Sequence, residues 1–422
     1  MKWRDSTLGE IVERDAGLIQ TGPFGSQLHR ADYQPDGVPV IMPTDIANGR
    51  VSVESIARIS EETADRLGRH KLKPRTIVLP RRGEVTKRAF IRADQEGWIC
   101  GTGCLKIELG GKELVPEFLY HFMAQGHVVQ WLEQHAVGTT MLNLSAGIVA
   151  ELPIRYPAVE VQRQIASTLS AYDDLIENNR RRIELLEQAA RLLYEEWFVR
   201  LSFPGHEHAG VTNEVPQGWD RIQLNSLINV THGFAFQGDY FSETPTSRVL
   251  TTPGNFRIGG GIKVDKLKFY SDEGPLESSY VLAPMDLILT MTDLSQMGDT
   301  LGFPAFVPKL EGRSFLHNQR VGRVIPKGQF FPKHFLYCLF CDDRYRHHVV
   351  GAATGTSVKH TSPKRILSYS ATLPPRGGLI ASFEELVEPI FQQINCLIDT
   401  SQKLRAARDL LLPRLMSGEI AV

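Results

Sequence analysis

Two stretches of the chain carry apolar residues at alternating steps of four and three. The first runs Ile165, Leu169, Tyr172, Ile176, Asn179, Ile183, Leu186, Ala190, Leu193 and Trp197; the second runs Phe383, Val387, Ile390, Ile394, Leu397, Ser401, Leu404, Arg408, Leu411 and Leu415. A seam sustained that long predicts two long helices, each burying one stripe. Two such helices in one chain pair most simply with each other, as an intramolecular antiparallel coiled coil. At 1.5 Å per residue, a helix of about 35 to 40 residues is roughly 55 Å long, enough to act as a spacer between globular domains. Asn179 and Ser401 interrupt the seams, either as buried polar residues that set register or as solvated gaps. Pro389 is expected to bend the first turns of the second helix or to mark its true start.

The rest of the pattern is written twice, with an offset of about half the chain. Trp3 followed by Leu8-Gly-Glu-Ile-Val matches Trp219 followed by Leu224-Asn-Ser-Leu-Ile, and Thr21-Gly-Pro-Phe24 answers Thr231-His-Gly-Phe234. Lys73-Pro-Arg-Thr-Ile-Val-Leu79 pairs with Ala283-Pro-Met-Asp-Leu-Ile-Leu289, a turn proline leading into a short apolar run that reads as a buried strand. Val115-Pro-Glu-Phe-Leu-Tyr120 and Phe331-Pro-Lys-His-Phe-Leu-Tyr337 open amphipathic helices. Each half then reaches a Gly-Thr loop, at Gly138 and Gly355, and a Leu-Pro turn, at Leu152-Pro153 and Leu373-Pro374.

The expected organisation is α+β, with a pseudo-two-fold internal repeat. Two similar globular domains span 1–157 and 216–375, and conserved-looking spacer helices occupy 158–200 and 376–422, the latter with a C-terminal tail. A linker at 201–215 begins with Leu201-Ser-Phe-Pro-Gly-His-Glu-His-Ala-Gly210, polar and without periodicity, in which His206 and His208 read as solvated.

Composition narrows the class. Of 422 residues, 42% are hydrophobic and 23% charged, which suits folded domains, and no run of about 18 to 20 uncharged apolar residues could span a bilayer. Met1-Lys-Trp-Arg-Asp5 has no apolar run behind it, so a cytoplasmic location is expected. Five scattered cysteines indicate reduced thiols. Cys338-Leu-Phe-Cys341 lacks a second ligand pair and falls opposite His121 and Ala124 in the first copy, so two small apolar helix residues are expected there, and no metal.

Phosphate-loop, dinucleotide-binding, metalloprotease, nucleophile-elbow and amino-methyltransferase motifs are all missing, which favours binding over catalysis. The net charge of -1 carries no nucleic-acid signal by itself, but its distribution does. Arg69, Lys71, Lys73, Arg75, Arg81, Arg82, Lys87, Arg88 and Arg92 stand against one carboxylate, Glu84, around the Thr76-Ile-Val-Leu79 strand. Such a cluster can neutralise phosphates or pair with guanine; equally, it can be a solvated basic face. The matching stretch of the second half, Thr290-Met-Thr-Asp-Leu-Ser-Gln-Met297, has no basic residue, so any shared binding role there uses different side chains.

Taken together, the chain resembles the specificity subunits of type I restriction-modification systems. The resemblance rests on Gly22-Pro-Phe-Gly-Ser26, the Gly-Thr loops, Gln162-Arg-Gln-Ile-Ala, Asp173-Asp-Leu-Ile-Glu-Asn-Asn179 and the ending Leu410-Leu-Leu-Pro-Arg-Leu-Met-Ser-Gly-Glu-Ile420, and it covers essentially the whole chain. It implies two target recognition domains, each reading one half of an interrupted asymmetric DNA sequence, and no catalytic activity. Two methyltransferase subunits, with or without restriction subunits, would dock on 166–199 and 383–415, including Arg180, Arg181 and Arg182. S-adenosylmethionine, ATP and magnesium are then expected on those partners and no cofactor on this chain. Expected DNA contacts are Gln27, His29, Arg81, Arg82, Lys87, Arg88, Thr139 and Thr140 in the first domain, and Gln237, Thr292, Gln296, Asn318, Ser357, Lys359 and His360 in the second. Two rivals are a coiled-coil adaptor that does not touch DNA and a divergent DNA methyltransferase.

Overall fold

A computed structural model describes residues 3–421 apart from Glu54, Thr139, Thr140, Asn213, Glu214, Asp265, Gln296, Phe330, Thr356, Ser357 and Arg376. The chain divides into two compact units, Met1–Leu175 with Leu404–Val422, and Ile176–Lys403. Each unit therefore contains part of both long helices.

In the first unit, the apolar run read as a buried strand is Ile77–Pro80, every residue of it buried. It is an inner strand of an antiparallel sheet ordered Leu18–Thr21, Cys104–Glu108, Ile77–Pro80, Ala89–Phe90. Burial on both faces explains why its sequence does not alternate. A second sheet is ordered Ile99–Cys100, Val38–Ile41, Ala57–Ile59, Tyr33–Gln34, its first pair parallel. Arg4–Thr7 pairs with Pro153–Tyr156.

The second unit repeats this topology. Its antiparallel sheet is ordered Ile228–His232, Val321–Pro326, Leu287–Thr290, Pro304–Phe306. Its mixed sheet runs Phe241–Ser242, Lys268–Tyr270, Arg248–Thr251, Ser314–His317, Val281–Leu282, with Arg248–Thr251 and Ser314–His317 parallel. Asp220–Gln223 pairs with Ser370–Leu373. Where the second unit has the strand Val281–Leu282, the first has only the bridge between Lys71 and Ile99.

Strand register corrects two pairings read from sequence. Gly22, not Pro23, is the counterpart of Gly233: a Cβ on Gly22 would lie 2.1 Å from the Gly101 carbonyl oxygen, and one on Gly233 would lie 2.1 Å from that of His317. Close backbone approach demands glycine at both places. The two Leu-Pro pairs are not equivalent either. Leu152-Pro153 opens its strand, whereas Leu373-Pro374 closes one, and the Leu8 and Leu224 amides donate to the carbonyls of Leu152 and Tyr369.

The long helices are Val159–Tyr194, continued by a π-turn at Glu195–Val199, and Leu379–Ser417. The second starts well before Pro389, which sits exposed inside it instead of marking its start. In the first unit, Ile165, Ala166 and Leu169 share a core with Leu412, Leu415, Met416, Phe118 and Leu119. In the second, Ile183, Ala190, Tyr194, Trp197 and Phe198 share one with Phe383, Val387, Phe391, Ile394, Leu397 and Phe335. Ala166, Tyr194, Phe198, Phe391, Leu412 and Met416 lie beside the heptad positions. The buried stripe is wider than a coiled-coil seam because the helices also close the unit cores.

Asn179 and Ser401 are both buried, and the Ser401 hydroxyl donates to the Leu397 carbonyl of its own helix at 2.7 Å. Gln162, fully buried, accepts from the Val115 amide at 2.8 Å and donates to the carbonyls of Glu113 and Pro157 at 2.9 Å each. Glu384 does the matching work in the second unit, accepting from the Phe335 amide at 2.6 Å and pairing with His334 at 2.8 Å. These bonds tie each sheet domain to a long helix.

Candidate nucleic-acid interface

Both units build one backbone frame at the end of the central strand. In the first, Arg81 follows Pro80: its amide donates to Gly103 O at 2.7 Å, and its carbonyl accepts from Leu144 at 2.8 Å. In the second, Met291 follows Thr290, with the matching bonds to Arg320 O and from Thr361, each 3.0 Å. The Gly-Thr loops close on these frames through paired backbone bonds, Val137 with Asn143 and Thr354 with His360. Gly138 has φ +118° and Gly355 has φ +94°, and an added Cβ would meet the carbonyl oxygens of Met141 at 2.4 Å and Val358 at 2.0 Å. Helices capped by Ser145 and Ser362 follow directly.

The basic cluster of the first unit resolves into engaged and available groups. Lys71 pairs with Asp65 at 2.6 Å, Lys73 with Glu108 at 3.3 Å, Arg75 with Glu117 at 2.7 Å, Arg92 with Asp174 at 3.2 Å, and Lys87 with Glu84. Arg88 donates to the Tyr120 carbonyl at 2.8 Å and lies 4.9 Å from the Tyr120 ring centroid. Burial pulls its pKa below the ordinary guanidinium value. Arg88 therefore braces the domain interior instead of facing outward.

Among the described residues, no carboxylate lies against Arg69, Arg81 or Arg82. The Arg81 guanidinium carbon is 5.9 Å from the ring centroid of exposed Phe24. Arg82 is exposed and bridges Asn143 through the backbone. Half-buried Gln27 accepts from the Phe24 amide at 3.2 Å and from Arg69 at 3.4 Å, which draws Gln27, Phe24, Arg69 and Arg81 into one patch. His29 is exposed, its amide donating to Asp32 at 2.7 Å at the start of the short helix Arg30–Asp32; exposed Gln237 precedes Gly238–Tyr240 in the same way.

In the second unit, Thr292 is buried and its hydroxyl bonds exposed His360 at 3.1 Å, within the ladder that joins Thr292–Asp293 to Lys359–His360. Thr292 thus positions His360. Asn318 is half-buried and accepts from the Arg320 amide at 3.1 Å, and Lys359 is half-buried. Although burial works to raise the Asp293 pKa, hydrogen bonds from Ser295 and Thr300 outweigh it and hold the carboxylate below its usual range. Thr139, Thr140, Gln296 and Ser357 lie outside the described residues. Sequence reasoning named Arg69 within the basic cluster but did not select Phe24 or Asn143; an aromatic residue within a polar duplicated motif was the available signal for Phe24.

Cys338 and Cys341 are free thiols, with Sγ atoms 3.7 Å from Ala190 O and 3.4 Å from Gly259 O. Burial pushes the Cys341 pKa up to about 12. Among the described residues, no cluster of His, Cys, Asp or Glu could hold a metal, and no helix is long and apolar enough to cross a membrane. On the first long helix, Arg180 and Arg181 pair with Glu177 at 2.9 and 2.8 Å, while Arg182 is exposed.

A duplicated fold of this kind is found in the S subunit of a type I restriction-modification system from M. genitalium, with a TM-score of 0.54 at 16% identity, over 98% of this chain and 96% of that one. Residues 1–188 match the type I restriction modification DNA specificity domain. The chain is 25% identical to the MjaIX specificity subunit of a type I restriction enzyme from Methanocaldococcus jannaschii, covering 100% of this chain and 97% of that protein. It is 21% identical to the HindI specificity subunit from Haemophilus influenzae, over 78% and 83%. Residues 1–188 thus match a type I DNA specificity domain, and the chain is similar over its whole length to specificity subunits of type I restriction enzymes.

Proposed function

We propose that each unit reads one half of an interrupted, asymmetric DNA site, with recognition domains at 1–157 and 216–375. The long helices pair antiparallel as the spacer, and their outer faces, including Arg182, dock two methyltransferase subunits that bring S-adenosylmethionine. A repeated chain offers two similar faces to two identical partners.

The observation that carries this reading is the shared frame. One backbone arrangement, closed by the same glycine-dependent loop, carries Arg81, Arg82 and Asn143 in one unit and Lys359 and His360, over buried Met291 and Thr292, in the other. Two half-sites of different sequence need that combination, since backbone contacts position a reader and side chains on base edges specify the sequence. Gln27, His29, Gln237, Asn318 and Lys359 are assigned as further contacts, together with Thr139, Thr140, Gln296 and Ser357.

The test is methylation mapping of genomic DNA from cells carrying the chain with its methyltransferase, against cells lacking only this chain. An interrupted motif that disappears on deletion is the expected result. Identical methylomes, together with no binding of duplex DNA by the purified complex, would refute DNA reading in favour of an adaptor role.

A further inference from the structure

Among the described residues of the first unit, four side-chain atoms are buried without any hydrogen-bond partner, His70 Nδ1, Arg81 Nε, Thr102 Oγ1 and Asn143 Oδ1, and the last three belong to residues of one backbone frame. Thr102 belongs to the turn whose Gly103 carbonyl receives the Arg81 amide, and Asn143 immediately precedes Leu144, whose amide donates to the Arg81 carbonyl. Native interiors rarely leave such groups unpaired, because each costs about 1 to 3 kcal/mol.

The second unit provides an internal comparison. Its frame places Met291, Gln319 and His360 where the first has Arg81, Thr102 and Asn143. There Met291 fills the space as a buried apolar side chain, Gln319 is exposed, and His360 is bonded to Thr292. At these three positions the second unit leaves no buried atom unpaired, although Thr361 Oγ1 elsewhere on its frame is buried without a partner. The frame itself therefore does not require the deficit at Arg81, Thr102 and Asn143.

Building on the half-site reading, we propose that Arg81, Thr102 and Asn143 form the base-reading set of the first unit. DNA docking turns their unfilled groups onto the major-groove edge of purine bases, with Arg81 directed to guanine and the Asn143 amide to adenine. Those pairings follow from geometry: a guanidinium donates twice to guanine O6 and N7, and a carboxamide both accepts from and donates to adenine N6 and N7. Phe24, exposed beside Arg81, supplies an apolar contact at the same position.

The test uses Arg81→Met, Asn143→Ala and Thr102→Val in the full chain, expressed with its methyltransferase, with methylation mapped genome-wide. Met291 shows that the frame accepts methionine, so Arg81→Met is expected to fold. Discrimination should fall about tenfold or more at one or two positions, all in the same half of the motif, while the other half stays unchanged. An unchanged motif with altered thermal stability would overturn the proposal and make the set a site for buried water. A uniform loss of methylation with an unchanged motif would overturn it by reducing Arg81 to a phosphate contact. If the unaltered chain directs no interrupted motif, the half-site reading itself fails.

Discussion

Removing Arg81 and Arg82 together tests whether the basic cluster acts as the structure sorts it. Of the nine Lys and Arg residues from Arg69 to Arg92, Lys71, Lys73, Arg75, Lys87 and Arg92 are matched by carboxylates, Arg88 by Tyr120 and Arg69 by His70 and Gln27, whereas Arg81 and Arg82 have no carboxylate against them among the described residues. Each phosphate neutralised contributes about 0.9 to the slope of log affinity against log salt. The Arg81→Ala/Arg82→Ala variant should therefore lose at least about 0.9 of slope, and about 1.8 if both guanidiniums lie on phosphates. A slope difference of about 0.9 means that a fourfold rise in salt weakens the unaltered protein about 3.5-fold more than the variant. Fluorescence anisotropy with labelled duplex, using the complex with its methyltransferase at several salt concentrations, measures this. Lys73→Ala/Arg75→Ala is the control, since charges already held by Glu108 and Glu117 release few counterions. Equal slopes in the variant and the unaltered protein, or as large a slope loss in the control, would refute the assignment.

Other expectations follow from named contacts. Burial pulls the pKa values of His70 and His121 down to about 4, so below pH 6.5 the unfolded chain takes up protons that the folded one refuses. Stability present above pH 6.5 should fall progressively towards pH 4, by up to about 3 kcal/mol per histidine. Urea titrations of the protein and of His121→Asn should show a shallower fall in the variant; parallel curves would contradict this. Gln162→Ala leaves the buried Val115 amide unpaired and should cost about 2 to 4 kcal/mol, with a loss under about 1 kcal/mol counting against the tie. Gly138→Ala forces a Cβ against Met141 O and should disturb reading of one half-site, and Gly355→Ala the other. Loss of both halves from either substitution would show that the loops do not act separately.

The long helices and the duplication were legible because both leave periodic marks. A heptad seam repeats locally, and matched turn prolines, apolar runs and Gly-Thr loops keep their order in each half. Register was less accessible. Gly22 and Gly233 differ in flanking residues, and only the strand ladders show that each meets a carbonyl 2.1 Å away. Pro389 looked like a helix boundary because proline lacks an N–H, but residues on both sides of it continue one helix.

By itself, the sequence determined the α+β class, the internal repeat, the long helices and the family that the chain resembles, since these reside in spacing and order along the chain. Tertiary structure decided which charges are available. Lys71 and Arg82 look alike in a run of basic residues, yet one is held by Asp65 and the other is exposed beside Asn143. It also decided that Arg81, Thr102 and Asn143 share one place, because that depends on which strands end together. Partners for charge and hydrogen bonding are chosen by proximity in space, and residues distant in sequence meet only once the sheet is formed.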